Sequence, residues 1–432
     1  MISSVFQGAV LVVLGASLGL AQAAPTSAPT QAATATPPAN ATLPTNAAPS
    51  TKAAPSTKAT PPAKATPPDE ATLLTATARV LAGLEPAEDI AALHGVIQSD
   101  AWKTHRRASE AGVQKLRARL AAMDAWQAKN LAPFAATSRT LIYPFSGPDF
   151  VNAYALFPNA DTYVLFSLEE PGEVPRLAGM STPERWLMFK DLRQALNDMV
   201  HLNFFITPNM KEQVRESSLK GTVPILLAMM GMLDMKVLRV QAIDLWPERS
   251  AQLRELPAAQ RPKLPLRAVQ IDFQNPARAR TDGASASVQS LYYFSLDVSD
   301  GALAAYPEFV PWLRSFQPPM VLLKSASYLL HGNGFNQVRS FILERAALVV
   351  QDDTGVPYRQ LLDAGLTVQL HGQYELPVEL FKSRRQDDLA AAFKARTGEQ
   401  EPVPFPFGYN WRKQGKSFVM VARPEKKADA KP

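Results

Sequence analysis

Apolar positions along this chain follow three regimes. They run almost unbroken from Gly8 to Leu20, give way between Ala24 and Pro68 to a stretch made almost only of alanine, proline, threonine, serine and lysine, and from Glu70 onward recur with the spacing of folded elements. From Glu70 to about Asn130 that spacing is helical. Val113, Leu116, Leu120 and Met123 stand three or four residues apart and draw one apolar stripe along a helix face. Beyond it come short apolar runs, each stopped by turn residues or acids. They predict strands at 140–145, 162–168, 237–243, 267–273, 288–295, 320–324, 346–350 and 366–370, with helices predicted at 149–157, 183–204, 210–231, 326–331 and 337–344. Strands and helices alternating at this spacing predict an α/β fold. The expected sheet is mostly parallel with helices on both faces, preceded by an N-terminal helical segment.

The first two regimes predict export. The apolar run is shorter than the roughly 20 residues that span a bilayer, and Ala21 and Ala23 suit a signal-peptidase pocket, so residues 1–23 read as a signal peptide cleaved after Ala23. No Lys or Arg precedes the run, which departs from the usual positive start, and an uncleaved anchor stays open as the alternative. Residues 24–68 read as a disordered linker. A six-residue repeat recurs there in register, from Ala48-Pro49-Ser50-Thr51-Lys52-Ala53 to Thr60-Pro61-Pro62-Ala63-Lys64-Ala65, and proline holds such a chain extended, at roughly 3 Å per residue. Residues 69–423 are expected to form one α/β domain with N-terminal helices over 69–135, and 424–432 a flexible basic tail. The predicted location is periplasmic or secreted, with no membrane span after signal cleavage; the run Val223–Leu233 is interrupted by Pro224 and Gly231. Cysteine is absent, which excludes a disulfide framework, a thiolate nucleophile and a cysteine-held metal.

Charge alters the picture only at the ends. Of a net charge of +6, the linker supplies three lysines and no acid, and the stretch from Arg423 supplies two net positive charges; subtracting these five leaves +1 for everything else. A nearly neutral folded part gives no support to nucleic-acid binding. Lys103, His105, Arg106 and Arg107 read as a solvated helix face.

The candidate chemistry begins with residues 140–170. A strand, a Ser146-Gly147 turn, a helix opening at Asp149, a second strand and then Glu169, 22 residues after Gly147, form the layout of a first βαβ unit. In this layout Ser146, Gly147 and Glu169 stand where a ligand is bound. The layout resembles that of class I methyltransferase-like Rossmann folds, since only one glycine is present, and the resemblance implies a Rossmann-like scaffold. Pro148 lacks an amide donor and Asp149 places a carboxylate where a phosphate would sit, which disfavours a diphosphate-bearing cofactor. The cofactor itself stays unknown. The phrases Tyr143-Pro144-Phe145-Ser146-Gly147-Pro148-Asp149, Phe157-Pro158-Asn159-Ala160, Lys324-Ser325-Ala326-Ser327-Tyr328 and Gln351-Asp352-Asp353-Thr354-Gly355-Val356-Pro357 resemble a group of exported bacterial proteins of uncharacterised activity, which implies a common fold and no transferable reaction.

In open α/β sheets ligands bind outside the carboxyl ends of the strands, where Lys324, Asp352 and Asp353 are expected to join Asp149 and Glu169. Asp149, Lys324, His331 and Asp352 are the candidate catalytic set, with His331 as proton carrier and Ser327 on the same predicted helix face; Asp353 joins the ligand-binding set. Asp352-Asp353-Thr354-Gly355 has oxygen donors but no spaced ligand set, so no metal site is assigned. A nucleophile elbow of the Gly-x-Ser-x-Gly kind is absent. His201 reads as structural, His371 as a fringe candidate, and Tyr409 with Trp411 as either an aromatic platform or a plug on the sheet. Two functions remain: an extracytoplasmic enzyme or binder of a small polar ligand, or a non-catalytic envelope protein positioned by its tether, with a cell-wall polymer or an envelope protein as partner. Protein recovered from outside the cytoplasm is expected to lack residues 1–23, and its intact mass decides this against a retained anchor.

Overall fold

In the run Thr140-Leu141-Ile142-Tyr143-Pro144 successive side chains must point to opposite sides, and every one of the five is apolar or small enough to bury. In the computed structural model, which describes residues 69–135, 138–202, 217–244, 254–255, 267–278, 287–396, 401–409 and 417–425, this run is a strand whose five residues are all buried. Leu141 and Tyr143 enter one core with Leu165, Leu322 and Val350, while Ile142 enters a second core with Val164, Val321, Leu323 and Val349. Burial on both faces is the condition of a central strand in a layered α/β fold.

The strands are β1 (Thr140–Pro144), β2 (Thr162–Ser167), β3 (Lys236–Asp244), β4 (Arg254–Glu255), β5 (Ala268–Gln274), β6 (Gln289–Ser295), β7 (Met320–Leu323), β8 (Leu348–Gln351), β9 (Leu366–Gly372) and β10 (Phe418–Pro424). They form one sheet in the order β4-β3-β5-β6-β2-β1-β7-β8-β10-β9. The middle five, β6-β2-β1-β7-β8, run parallel. Both flanks are antiparallel: β5, β3 and β4 on one side, and β10 between β8 and β9 on the other. The parallel expectation thus describes the centre of a mixed sheet. No strand is predicted at β10, because a lone apolar run near the chain end carries no sign that it will insert between two earlier strands. The strand reaches Pro424, the first residue of the expected flexible tail, and the Arg423 guanidinium lies 4.3 Å from the centre of the Phe134 ring.

One face is covered by α1 (Glu70–Leu81), α2 (Asp100–Asn130), α3 (Phe150–Leu156), α4 (Thr182–Leu202) and α5 (Val223–Met232). The other carries α6 (Phe309–Ser315), α7 (Asn336–Arg345) and α8 (Tyr358–Asp363), while α9 (Asp387–Ala395) closes a small cluster with Phe418 and Met420. The helices α6, α8 and α9 are too short for a 3.6-residue period to stand out in sequence. The predicted helix over 326–331 does not form: Ser325, Ser327 and Tyr328 adopt left-handed backbone, and only a 3-10 turn, Leu329–His331, follows. Of the predicted helix 210–231, residues 210–216 lie outside the described residues, and α5 begins at Val223. Among the described residues no helix is long and apolar enough to cross a membrane.

The N-terminal helices are integral to the core. Asp69 and Ser99 cap α1 and α2, their side chains accepting from the amides of Thr72 at 2.7 Å and Trp102 at 3.3 Å. All ten residues of α5 are buried, as expected of a helix that is apolar all round. Its Gly231 lies against α1 so closely that a Cβ there would stand 2.3 Å from the Ala78 carbonyl oxygen. The expected solvated face on α2 is only partly so. Lys103, Arg106 and Arg107 are exposed, but His105 is fully buried, its Nε2 2.9 Å from the Leu81 carbonyl and its ring stacked on Phe189 at 4.6 Å. Burial pushes its pKa down to about 4.

Gly231→Ala is expected to cost about 1–3 kcal/mol in urea unfolding, by overpacking two helix backbones. Gly112→Ala, in α2 with nothing within 4 Å of the added methyl, should instead gain about 0.5–1 kcal/mol, as alanine does in a helix interior.

Candidate functional site

The strand β1 ends at Pro144, and the chain turns through Phe145 and Gly147, both at positive φ (58° and 54°), before Asp149 caps α3. Asp149 is buried among donors. Its carboxylate accepts from the Tyr143 hydroxyl at 2.8 Å, the Asn152 amide at 3.3 Å and the Asn152 side chain at 2.8 Å. It also forms an ion pair with Lys324, Oδ2 to Nζ 2.8 Å, in which the two side chains are 2% and 1% exposed. Lys324 leaves the end of β7, the strand next to β1. The pair therefore bridges the carboxyl ends of two neighbouring parallel strands.

The loop after β7 is held from two sides. Ser325, Ser327 and Tyr328 sit at φ between 53° and 57°, a conformation that costs a non-glycine residue about 1–2 kcal/mol. From the end of β8, Asp352 accepts the Ser325 amide at 2.9 Å and the Thr354 amide at 3.0 Å, and Thr354 Oγ1 accepts the Ala326 amide at 2.7 Å. The Tyr328 hydroxyl donates to Asp353 at 2.6 Å. From the segment that leads toward β10, the Tyr409 hydroxyl donates to the Ser325 carbonyl at 2.9 Å and lies 2.9 Å from the Ser327 hydroxyl. The same segment presses Gly408 onto Asp352, where a Cβ would fall 2.1 Å from Oδ2. Phe405 and Phe407 are buried, so this segment is a plug on the sheet. Trp411 lies outside the described residues.

Burial dominates the electrostatics. Desolvation lowers the Lys324 pKa, and Asp149 opposes the shift. Desolvation raises Asp352, against the bonds from Thr354 and Ser325. Asp353 is raised to about 7 by desolvation and by the Asp352 charge beside it. Tyr143 is raised by burial and by Asp149. Arg119, from α2, also belongs here: desolvation lowers its pKa to about 10, while the Asp149 charge holds it up.

The predicted residues divide into groups. Asp149, Lys324 and Asp352 come together with Tyr143 and Arg119, and Asp353 lies beside them with Tyr328. Ser146 and Gly147 form the turn above the pair, Ser146 buried and donating to the Gly147 carbonyl at 2.8 Å. Glu169 is buried at the end of β2 with the Ser167 hydroxyl on its carboxylate, and its backbone carbonyl takes the Tyr293 hydroxyl at 3.1 Å. His331 sits edge-on to Tyr328 at 5.0 Å with a buried Nε2, and desolvation lowers its pKa to about 4, so it is a poor proton carrier near pH 7. His201 falls in α4, with its side chain outside the described residues. Sequence reasoning missed Arg119, although its position three after Leu116 and four before Met123 puts a charge on the apolar stripe of α2.

The surroundings limit what the cluster can do. Cavities of about 500 Å³ beside His371 and about 470 Å³ beside Tyr374 lie along β9 and its continuation, and neither is lined by the Asp149–Lys324 pair. Among the described residues no group of three His, Asp or Glu side chains is arranged to hold a metal. Comparisons with protein families, curated proteins and solved structures return no match.

Removing one member of the buried pair strands the other. Lys324→Met alone is expected to cost about 3–5 kcal/mol in urea unfolding, with Asp149→Asn in the same chain recovering much of the loss. The pH dependence separates the two outer groups. Between about pH 4 and the ordinary 6.5, the unfolded chain takes up a proton at residue 331 that the folded chain refuses, so this group makes stability rise with pH. Asp353 acts oppositely, since the folded chain holds a proton up to about 7 that the unfolded one releases near 3.8. His331→Asn should remove a rise, and Asp353→Asn a fall, of at most about 1.4 kcal/mol per pH unit in urea titrations across this range.

Proposed function

We propose that this chain is an exported, non-catalytic binding or scaffold protein, built on a Rossmann-like domain whose cofactor crevice is closed by its own side chains. The strand order supports the scaffold. Taken in chain order, the seven strands from β6 to β9 run third, second, first, fourth, fifth, seventh, sixth, with the seventh antiparallel. That order resembles the arrangement of class I methyltransferase-like folds, extended here by β5, β3 and β4, and it supports this reading. In such sheets the ligand crevice lies where the strand order reverses, between the first and fourth strands, which are β1 and β7 in this chain.

The observation that carries the proposal is the 2.8 Å Asp149–Lys324 ion pair on that reversal point, with both side chains withdrawn from water. A nucleoside cofactor does not fit the residues around it. Ser146 and Glu169 are buried rather than presented to a ligand, Pro148 offers no amide, and the Tyr409 segment seals the rim. The envelope location and the spacer role of residues 24–68 rest on the sequence alone, and they agree with a domain that works by binding.

Equilibrium dialysis of the full chain against S-adenosylmethionine and NAD tests the closed crevice, together with mass spectrometry of small molecules retained on purification from the envelope. No saturable binding tighter than roughly 1 mM is expected for either nucleoside cofactor. A retained nucleoside ligand that is lost in Asp149→Ala and Lys324→Ala would overturn the proposal and restore the enzyme reading.

A further inference from the structure

The cavity of about 500 Å³ beside β9 has the features of a binding site, and it lies outside the closed crevice. Its floor is Gln369, Leu370 and His371 on the sheet, one wall is the end of α2 with Lys129 and Asn130 and the following Phe134, and Arg396 and Glu401 stand opposite. We propose that this cavity binds a small organic oxyanion, held by Arg396, His371 and Lys129.

Three observations converge on an anion. First, the lining is cationic: Lys129 and Arg396 face a single acid, Glu401, which already pairs with Lys129 at 2.7 Å. That pair is exposed on both sides, so it is weak and can exchange for a ligand at little cost. Second, Arg396 has no carboxylate among the described residues. Among the described residues it donates to the Gly372 carbonyl at 3.2 Å, it lies 5.5 Å from the Phe393 ring centre, and desolvation lowers its pKa. A guanidinium offers five donors in a plane, so most of this fork is available for a carboxylate or phosphate. Third, the His371 Nε2 is buried without a hydrogen-bond partner among the described residues, and its ring is braced edge-on against Trp126 at 5.2 Å. A buried polar atom with no partner is costly unless a ligand supplies one. The volume suits a small molecule, and Phe134 and Leu370 give its body an apolar surface. A sugar carboxylate and a sugar phosphate both present an oxyanion to this trio, the first with one negative charge and the second with about 1.5 to 2 at pH 7.

His371 reports on its own site. Desolvation lowers its pKa, the Arg396 and Lys129 charges add to the shift and the Glu401 charge opposes it, so a further anion bound among them raises it. The full chain carries five histidines, few enough to resolve by selective labelling and nuclear magnetic resonance. Titration with glucuronate in one arm and glucose 6-phosphate in the other is expected to move the His371 ring signals saturably, with a Kd of about 1 mM or tighter in at least one arm, and to raise the His371 pKa. The arm with the tighter Kd identifies carboxylate or phosphate as the preferred group. Arg396→Lys, which keeps the charge but loses the fork, should weaken binding about tenfold, and Arg396→Gln should abolish it, while Arg106→Gln on the far end of α2 leaves it unchanged. His371 signals unmoved by both anions, or a response that persists in Arg396→Gln, would overturn the proposal. The His105 resonance, from a fully buried ring, shows in each variant that the fold is intact.

Discussion

A lysine and an aspartate withdrawn from water at the carboxyl ends of β1 and β7 set the terms for the structure around them. Moving two charges out of water costs several kcal/mol per ion, and their attraction offsets this only if the remaining donors and acceptors are also satisfied. Asp149 is therefore ringed by Tyr143 and Asn152, with the Arg119 charge beyond them, and the Asp352 carboxylate faces Lys324 from β8. Each of these groups arrives from a different element: α2, β1, α3, β7 and β8. The Asp149 charge thus meets groups from the sheet and a charge from α2, which ties the N-terminal helices to the centre of the fold.

The same constraint explains the strained loop after β7. Three non-glycine residues in left-handed conformation persist because Asp352, Asp353 and Tyr409 bind their backbone and side chains from several directions, while Thr354 holds Ala326 among them. In many proteins such strain marks a working site. Here the bonds that stabilise it also consume the polar capacity of the rim: Asp352 is occupied by amides and a hydroxyl, and Gly408 seals it. The crevice that an open α/β sheet offers at the carboxyl ends of its strands is filled here by internal contacts. An open, cationic space lies three strands beyond β7 instead, at β9, where β10 interposes an antiparallel strand and leaves an edge with Arg396 and His371 beside it.

Much of the layered architecture was legible in the sequence. Runs such as Thr140–Tyr143 and Thr162–Phe166 are apolar on both faces, which only a covered central strand tolerates, and the stripe through Leu116 and Met123 marks α2. Less was legible of the site. The separation from Gly147 to Glu169 placed both on one βαβ unit but could not tell that the Glu169 carboxylate is buried and takes the Ser167 hydroxyl. His331 looked like a proton carrier because its burial, and the pKa near 4 that follows, depend on Tyr328 and on the loop after β8.

What the sequence determined by itself, then, is whatever depends on near neighbours: strand and helix periods, the helix opening at Asp149 and the turn at Gly147. The tertiary structure alone decided the insertion of β10, the burial of His105 and the meeting of Asp149 with Lys324, 175 positions apart in the chain. The physical reason is that desolvation belongs to a place in the fold and not to a residue. A carboxylate, an ammonium group or an imidazole has no fixed role in sequence, and only the groups that close over it determine whether it meets a ligand or holds the fold together.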